Sequence, residues 1–165
     1  MLAQFLRRSA HSISPNILRR IGNMWLPFWG AGIVIHKVSD DYRYIEVIMR
    51  LRWYNKNYVG THFGGSMYAM TDPFYMMMLI NNLGKSYIVW DKGACIDFVQ
   101  PGRGKLTAIF ELNDSIIEDV KANTESGEKY IFHLPVDIKN ENDEIVASVK
   151  KTLYVRKKRK QSPSQ

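Results

Sequence analysis

Apolar and polar positions along the chain predict an antiparallel sheet around one helical segment. Alternation with a period of two predicts six strands, at 33–38, 42–51, 87–99, 105–113, 129–139 and 144–155. Residues 66–83, between the second and third strands, are apolar on every side, which is typical of a buried helix. The last four strands are separated by polar connections at 100–104, 114–128 and 140–143. Because short polar turns join antiparallel neighbours, we interpret these four strands as a meander.

The two ends of this pattern carry additional segments. From Pro15, which suits the first turn of a helix, apolar residues recur at helical spacing until Pro27 and two nearby glycines end the helix. A central helix that is apolar all round needs cover on every side, so we expect the sheet to curl around it. We predict an α+β protein in three parts: an N-terminal extension over 1–14, one domain over 15–156 and a basic, disordered tail over 157–165.

Charge is distributed unevenly along the sequence. The 165 residues carry 23 Lys and Arg against 16 Asp and Glu, which gives a net charge of +7. A net charge of this size is typical of proteins that bind nucleic acid. However, all 16 acids lie in 21–144 together with only 12 of the bases. The excess of positive charge is therefore at the two ends of the chain. No aromatic and basic pattern typical of a nucleic-acid module is present, and we expect no nucleic-acid partner.

The single cysteine and the N-terminal segment bear on the compartment. Cys95 alone cannot form an intramolecular disulfide, which fits a reducing, cytoplasmic environment, and its apolar neighbours predict a buried position. The uncharged run 21–35 is too short and too interrupted to span a membrane. The acid-free first 20 residues are typical of an amphipathic cap or of a mitochondrial transit peptide. Aromatic residues near Arg19 and Arg20 leave a peripheral membrane contact open.

One acidic residue in the most apolar segment is the first candidate for chemistry. Asp72 is the only charged residue in 66–83. Because burial of an unpaired carboxylate is unfavourable, Asp72 should either bond to a loop or a partner chain, or face a pocket as a catalytic carboxylate. Pro73 follows it directly, removes a helical N–H and disfavours helical geometry at Asp72. We therefore predict a kink at this point.

Two glycines precede this carboxylate at the start of the helix. Gly64 and Gly65 would let a ligand approach the backbone, and free N–H groups there suit an anion or a developing oxyanion. Alone, paired glycines most often mark a turn. Together with Asn57 and His62 in the preceding loop, and with Asp72 in the helix, they form a more specific pattern.

The pattern resembles that of a known family. Hotdog-fold acyl-CoA thioesterases of the phenylacetate-pathway type carry an Asn, then His-Gly-Gly, then a helical Asp or Glu. Here the run 57–66 reads Asn-Tyr-Val-Gly-Thr-His-Phe-Gly-Gly-Ser, and Asp72 lies seven positions after the second glycine. Residues 89–104 look like the next strand of that fold and its proline-containing turn. The resemblance covers about 15–157 and is closer still to an uncharacterised bacterial hotdog subfamily with a His-Phe-Gly-Gly-Ser signature.

The resemblance implies a fold, an assembly and a set of roles. In the hotdog fold a curved antiparallel sheet of about six strands wraps a long central helix, and two chains form a homodimer, or a dimer of dimers, with active sites at the interface. Asp72 would act as general base or nucleophile, and an N–H of Gly64 or Gly65 from the partner would polarise the thioester carbonyl. His62 and Asn57 would orient the carbonyl or water. A thioester is already activated, so a carboxylate and an oxyanion donor can suffice without a Ser-His-Asp triad. We expect no metal and no cofactor, with the coenzyme A thioester as the substrate.

Several further residues are candidates for contact with the acyl-CoA substrate. Ser66 belongs to the matching motif, and Arg103, Lys105 and Lys92 have the charge that coenzyme A phosphates require, although exposed solubilising charge explains each of the three equally well. The methionine-rich part of 66–83 is interpreted as core packing or as the lining of an acyl tunnel. Three histidines lack metal-ligand spacing and are interpreted as structural or surface residues: His11, His36 and His133.

Three functions are consistent with the sequence. The first is an acyl-CoA thioesterase. The second is a non-catalytic acyl or acyl-CoA binding protein on the same fold, favoured by two departures from the family pattern, Phe63 between the histidine and the glycines, and Pro73 after the aspartate. The third is an adaptor that reaches a membrane surface or nucleic acid through its basic ends. A hotdog hydratase is less consistent, because the Asp and His spacing that it needs is absent.

Overall fold

Six strands and five helices are assigned within residues 13–158, the part of the chain that the computed structural model describes. The strands are β1 Ile33–Val38, β2 Tyr44–Arg50, β3 Tyr87–Phe98, β4 Lys105–Glu111, β5 Lys129–Lys139 and β6 Ile145–Lys157. The helices are α1 Pro15–Met24, α2 Leu26–Ala31, α3 Gly64–Ala69, α4 Phe74–Leu83 and α5 Asp114–Thr124. All six predicted strands are confirmed. His11 and most of the predicted extension and tail lie outside the described residues.

The six strands form one curved antiparallel sheet in the order β1-β2-β4-β5-β6-β3, which confirms the predicted α+β class. The predicted meander is wrong between β3 and β4, because β3 lies at an edge beside β6 and the chain then crosses to a place beside β2. The connection 99–104 is held by another loop instead of forming a hairpin turn. Its Gly102 and Gly104 carbonyls each accept a hydrogen bond at 2.9 Å, from the N–H groups of His62 and Leu51 respectively.

The central helical segment 66–83 contains a complete break, which is stronger than the predicted kink. Residues 70–73 separate α3 from α4. Pro73 has no N–H and disfavours helical geometry at the residue before it, so the helix stops there. The N–H of Asp72 donates to the carbonyl of Ala69 at 3.2 Å as the chain leaves the first helix. The break places Asp72 at the surface between two helix ends.

The core lies between α4 and the inner face of the sheet. From α4, Phe74, Met78 and Leu79 are fully buried. The strands supply the facing side chains Ile45, Val47, Met49, Leu106, Phe110, Val149, Leu153 and Val155. Burial of each large apolar side chain stabilises the fold by about 1.5–3 kcal/mol. Met70 is fully buried as well, so this methionine and Met78 serve as core packing.

The segment 114–128 was expected to be a turn, and that prediction is wrong because 114–124 form α5. The Oδ1 atom of Asn113 accepts a hydrogen bond from the N–H of Ile116 at 2.9 Å and so caps the helix. Ile117 and Val120 point into the core from this helix. The cap and the inward apolar face outweigh the polar composition of the segment.

Two smaller predictions also need correction. The N-terminal helix ends at Met24, and Pro27 lies in the first turn of α2 instead of stopping a longer helix. Cys95, predicted to be buried, is exposed, because β3 is an edge strand and Cys95 lies on its solvent side. Within residues 13–158 no helix is both long and apolar enough to cross a membrane.

The helix cap offers a test of α5. We expect Asn113→Ala to lower the free energy of unfolding by about 1 kcal/mol, because the N–H of Ile116 loses its acceptor. The control Asn142→Ala, at an exposed turn position, should change stability by less than about 0.5 kcal/mol. Urea unfolding followed by circular dichroism measures both. Equal stability of the Asn113 variant and the wild type would contradict the capping role.

Candidate active site

Asp72 lies in the break between α3 and α4, where a buried lysine contacts it from inside the protein. The Nζ atom of Lys151 is 3.3 Å from Oδ1 of Asp72. The side chain of Asp72 is 57% exposed, whereas that of Lys151 is 1% exposed. No group within residues 13–158 donates a hydrogen bond to the second oxygen, Oδ2. Lys151 thus holds one oxygen of the Asp72 carboxylate and leaves the other without a hydrogen-bond partner in the described residues.

Lys151 was not predicted to be a site residue, because in the sequence it is one of the bases of the C-terminal end. Its strand, β6, alternates between the two faces of the sheet, and the inward positions are Ala147, Val149, Lys151, Leu153 and Val155. One signal in the sequence was available: the alternation of apolar and polar residues along β6 assigns the position of this lysine to the core. Its neighbour Lys150 is exposed and fits the solvent side of the strand.

A second carboxylate, that of Asp91 on β3, completes this ionic cluster. The Nζ atom of Lys151 is 3.1 Å from Oδ2 of Asp91, and the Asp91 side chain is 16% exposed. Burial raises the pKa of Asp91, while the positive charge of Lys151 opposes that effect. Lys151 Nζ also lies 5.8 Å from the centre of the Tyr68 ring. One lysine on β6 thereby connects α3, the helix break and β3.

The two glycines predicted to polarise a carbonyl are the first two residues of α3. Neither the N–H of Gly64 nor that of Gly65 has a hydrogen-bond acceptor within the described residues. A Cβ atom at Gly64 would lie 2.9 Å from Cζ of Phe98, and one at Gly65 would clash with the ring of Phe63. A side chain at either position would therefore displace an exposed aromatic ring, and both N–H groups remain available.

Asn57 is used by the loop in which it lies. Its Nδ2 donates to Oγ1 of Thr61 at 2.9 Å and to the carbonyl of His62 at 3.3 Å. Its Oδ1 accepts from the N–H groups of Val59 at 3.1 Å and Thr61 at 3.0 Å. With both ends of the amide engaged, Asn57 shapes the approach to α3. Its role in orienting substrate stays a prediction.

His62 belongs to the same loop and is buried, with 1% of the residue exposed. Its Nε2 is 3.0 Å from the carbonyl oxygen of Gly104, so this nitrogen carries the proton and donates it. Burial lowers the pKa of His62, and the Gly104 carbonyl opposes that effect. The other ring nitrogen, Nδ1, is buried without a hydrogen-bond partner among the described residues. The imidazole therefore joins two loops, and its role in orienting the carbonyl or water stays a prediction.

A groove of about 530 Å³ opens beside the start of α3. Its lining consists of Asn57, Val59, Thr61, Gly64, Met67, Phe98, Val99, Gln100, Pro101, Gly102 and Arg103. The groove thus brings together three of the predicted site residues, Asn57, Gly64 and Arg103. Asp72 lies outside its lining, and Ser66 is buried, with its N–H donating to the carbonyl of Phe63 at 2.9 Å.

The three basic candidates for coenzyme A phosphates lie in three different places. Arg103 borders the groove beside α3. Lys105 lines an opening of about 600 Å³ between β4 and β5, which pair at only two positions. Lys92 lines a groove of about 580 Å³ on the outer face of the sheet, together with Lys129 and Arg156. A single phosphate group therefore cannot contact all three predicted residues.

Exposed apolar side chains surround the groove beside α3. They are Tyr58, Val59, Phe63, Phe98 and Val99. The adjacent strand β3 is at the edge of the sheet, with β6 as its single partner among the described strands. A free edge next to a large apolar patch is typical of a surface that contacts another protein chain.

Metal ligands are not clustered in the described part of the chain. Within residues 13–158 no three His, Cys, Asp or Glu side chains lie close enough together to hold a metal ion. His36 is exposed on β1. His133 is exposed on β5, and its Nδ1 lies 3.0 Å from Oγ1 of Thr152.

Residues 16–155 match the family described as a domain of unknown function (DUF4442), and the chain belongs to that family. No curated protein matches it. Among solved structures, a Pseudomonas aeruginosa protein of unknown function, called a probable thioesterase, superposes with a TM-score of 0.77 at 15% identity over 88% of this chain and 97% of its own.

Two further structures have the same fold. A Haemophilus influenzae thioesterase matches with a TM-score of 0.63 at 17% identity, over 88% of this chain and 92% of its own. The PaaI protein of the E. coli phenylacetic acid degradation operon matches with a TM-score of 0.57 at 15% identity, over 82% of this chain and 87% of its own. At such identities these likenesses establish the fold, which is that of the hotdog thioesterases.

The buried imidazole of His62 predicts a pH dependence of stability. Because the folded protein lowers the pKa of His62, the unfolded chain binds a proton first as the pH falls below about 6.5. The stabilisation is therefore complete above that pH and is lost below it, by at most about 1.4 kcal/mol per pH unit. His62→Gln retains an N–H donor near Gly104 without titrating, so its stability should fall less between pH 7.5 and 5.5.

Urea unfolding at several pH values measures this difference. The matched control is His36→Gln, at an exposed position, which should follow the wild-type pH dependence. Identical slopes for His62→Gln and the wild type would show that His62 does not produce the effect.

Proposed function

We propose that this protein hydrolyses an acyl-CoA thioester with Asp72 as general base. The observation that carries the proposal is a carboxylate at a helix break with one oxygen held by a buried lysine and the other open to solvent. Such a carboxylate can accept a proton from a water molecule without leaving its place. Two free N–H groups at the start of α3 supply the kind of donor that a developing oxyanion needs.

The proposed reaction is attack by water on the thioester carbonyl. Oδ2 of Asp72 takes a proton from the water as its oxygen bonds to the carbonyl carbon. The carbonyl oxygen becomes negative and is stabilised by an N–H of Gly64 or Gly65. Collapse of this intermediate breaks the carbon–sulfur bond and releases the thiol of coenzyme A, which takes up the proton. The products are a carboxylic acid and coenzyme A.

The geometry of one chain favours a homodimer for this chemistry. Gly64 begins α3 and Asp72 follows its end, and a helix of six residues is about 9 Å long. Both groups must approach the same carbonyl within hydrogen-bond distances, so we propose that the N–H donor comes from a second copy. The free edge of β3 and the exposed apolar side chains beside it, including Phe63 and Phe98, support this assembly.

The groove beside α3 suits the substrate on chemical grounds. Met67, Phe98 and Val99 provide apolar surface for an acyl or pantetheine chain, and Arg103 lies at the same groove. An arginine at a pocket mouth binds a phosphate through charge-assisted hydrogen bonds. We propose that Arg103 contacts a coenzyme A phosphate. Lys105 and Lys92 line separate openings and are weaker candidates.

A non-catalytic acyl-CoA binding protein is the second candidate function. It is favoured by one observation, the use of both Asn57 and His62 for hydrogen bonds inside the protein. Two residues expected to orient the carbonyl or water are thereby occupied. On this view the groove binds an acyl-CoA, and Asp72 serves to pair with Lys151.

A thiol-release assay distinguishes the two functions. We expect the wild type to hydrolyse at least one of a series of short, medium, long and aromatic acyl-CoAs. Asp72→Asn should reduce kcat at least tenfold, because the amide cannot accept the proton, with an unchanged circular dichroism spectrum. The matched control is Asp40→Asn, an exposed aspartate in the turn between β1 and β2, which should retain wild-type kcat.

Two results would contradict this assignment. Full activity of Asp72→Asn would remove Asp72 from the mechanism. Saturable binding of acyl-CoA by the wild type without any thiol release would support the binding protein instead.

The groove assignment has its own test. Arg103→Ala should raise KM for acyl-CoA about tenfold with little change in kcat, because a contact made equally in the ground and transition states affects binding alone. Lys121→Ala, at an exposed position of α5, is the control and should leave KM unchanged. A larger rise in KM for Lys92→Ala or Lys105→Ala than for Arg103→Ala would move the phosphate site to the corresponding opening.

A further inference from the structure

We propose that Lys151 is the positioning residue of the site: its ammonium group holds Oδ1 of Asp72 and so determines which carboxylate oxygen faces the substrate. The inference rests on the proposed function. It assigns a task to the most deeply buried charge in the described residues, which neither the family resemblance nor the fold explains.

Lys151 has almost no freedom of movement. Its backbone pairs with Ala94 of β3 on one side and with Leu134 of β5 on the other, so it lies in the interior of the sheet. Its side chain is 1% exposed. Salt bridges at a surface contribute little, because two mobile side chains must be ordered to form them. Here the cation is already ordered by its strand and its burial, and only Asp72 remains to be ordered.

The two carboxylates around Lys151 have different surroundings and therefore different tasks. Asp91 is largely buried, 3.1 Å from Nζ, and it balances the positive charge inside the protein. Asp72 is more than half exposed and is not needed to neutralise the lysine. We infer that Asp91 is the structural counter-ion, which leaves Asp72 free for chemistry while its Oδ1 stays 3.3 Å from the cation.

The contact with Lys151 also explains why one carboxylate oxygen of Asp72, rather than either, faces the attacking water. The break at 70–73 presents Asp72 with its side chain between solvent and the protein interior. Contact with Lys151 uses Oδ1, and Oδ2 is left as the oxygen that can reach water. Without the cation, the side chain would rotate among several orientations, and few of them would place an oxygen near the attacking water. The expected effect is on kcat rather than on KM.

A purely structural role for Lys151 predicts different behaviour, and paired variants separate the two. Lys151→Met alone leaves Asp91 buried without its cation, so a loss of stability is expected from either role. Lys151→Met combined with Asp91→Asn removes both buried charges. If Lys151 acts only in folding, this double variant regains both stability and activity. If it positions Asp72, stability returns and activity does not.

The experiment uses the full chain, with melting temperature from circular dichroism and thiol release from the best acyl-CoA. We expect the double variant to melt closer to the wild type than Lys151→Met does, with kcat reduced at least fivefold and KM within twofold. Lys151→Arg keeps a cation at this position and should retain kcat within threefold. Asp91→Asn should lower the melting temperature more than Asp72→Asn does.

Three outcomes would overturn the inference, and a fourth concerns the proposed function. Wild-type kcat in a folded double variant overturns it, as does a change in KM alone. Where the double variant does not fold, Lys151→Arg decides: a folded arginine variant that loses kcat at least fivefold shows that the positive charge is not what matters. Absence of thiol release by the wild type overturns the proposed function itself, a result distinct from an active wild type with an active double variant.

Discussion

A positive charge buried within a sheet requires negative charge at the same depth, and this requirement organises the centre of the molecule. Lys151 occupies an inward-facing position on β6. The inward-facing positions on either side of it carry the apolar side chains of Val149 and Leu153. Its ammonium group is balanced by Asp91 from the adjacent edge strand, and it contacts Asp72 where the central helix is broken. The strand, the edge and the helix break are thereby connected through one atom, Nζ. A shift of β6 or of the edge strand β3 would separate the buried lysine from its counter-ion Asp91, and a shift of the helix break would remove its contact with Asp72.

The break itself follows from local chemistry, whereas the cluster around it does not. Pro73 stops the helix because it lacks an N–H and restricts the preceding residue, so an interruption at this point was predictable from two adjacent residues. That Asp72 would meet a lysine 79 positions later along the chain was not, since the contact depends on the strand order. The position of Lys151 in an alternating strand indicated burial, but its neighbour Lys150 made the pair look like surface charge.

The same distinction between local and distant information explains the other differences from the sequence analysis. Strands were located correctly because alternation is a local signal. Their order was not, because the polar connection 99–104 has the composition of a hairpin turn while its carbonyls bind His62 and Leu51. Asn57 and His62 were identified as members of a motif, yet their hydrogen bonds to Thr61 and Gly104 depend on folded loops. A sequence motif identifies candidate residues. The hydrogen bonds that each side chain forms in the folded protein determine whether it can still contact a substrate.

What remains available for chemistry is therefore small and specific. The loop before α3 uses both ends of the Asn57 amide and the Nε2–H of His62 for hydrogen bonds inside the protein. These bonds hold the loop that leads to Gly64, whose N–H has no acceptor within the described residues. Preorganised donors stabilise a developing charge without having to rearrange, so a stiff loop is an advantage at this position. On the opposite end of the helix, Asp72 is held on one oxygen only. The helix that begins at Gly64 and ends before Asp72 has six residues and is about 9 Å long, so under the proposed function each end would complete the site of a second copy.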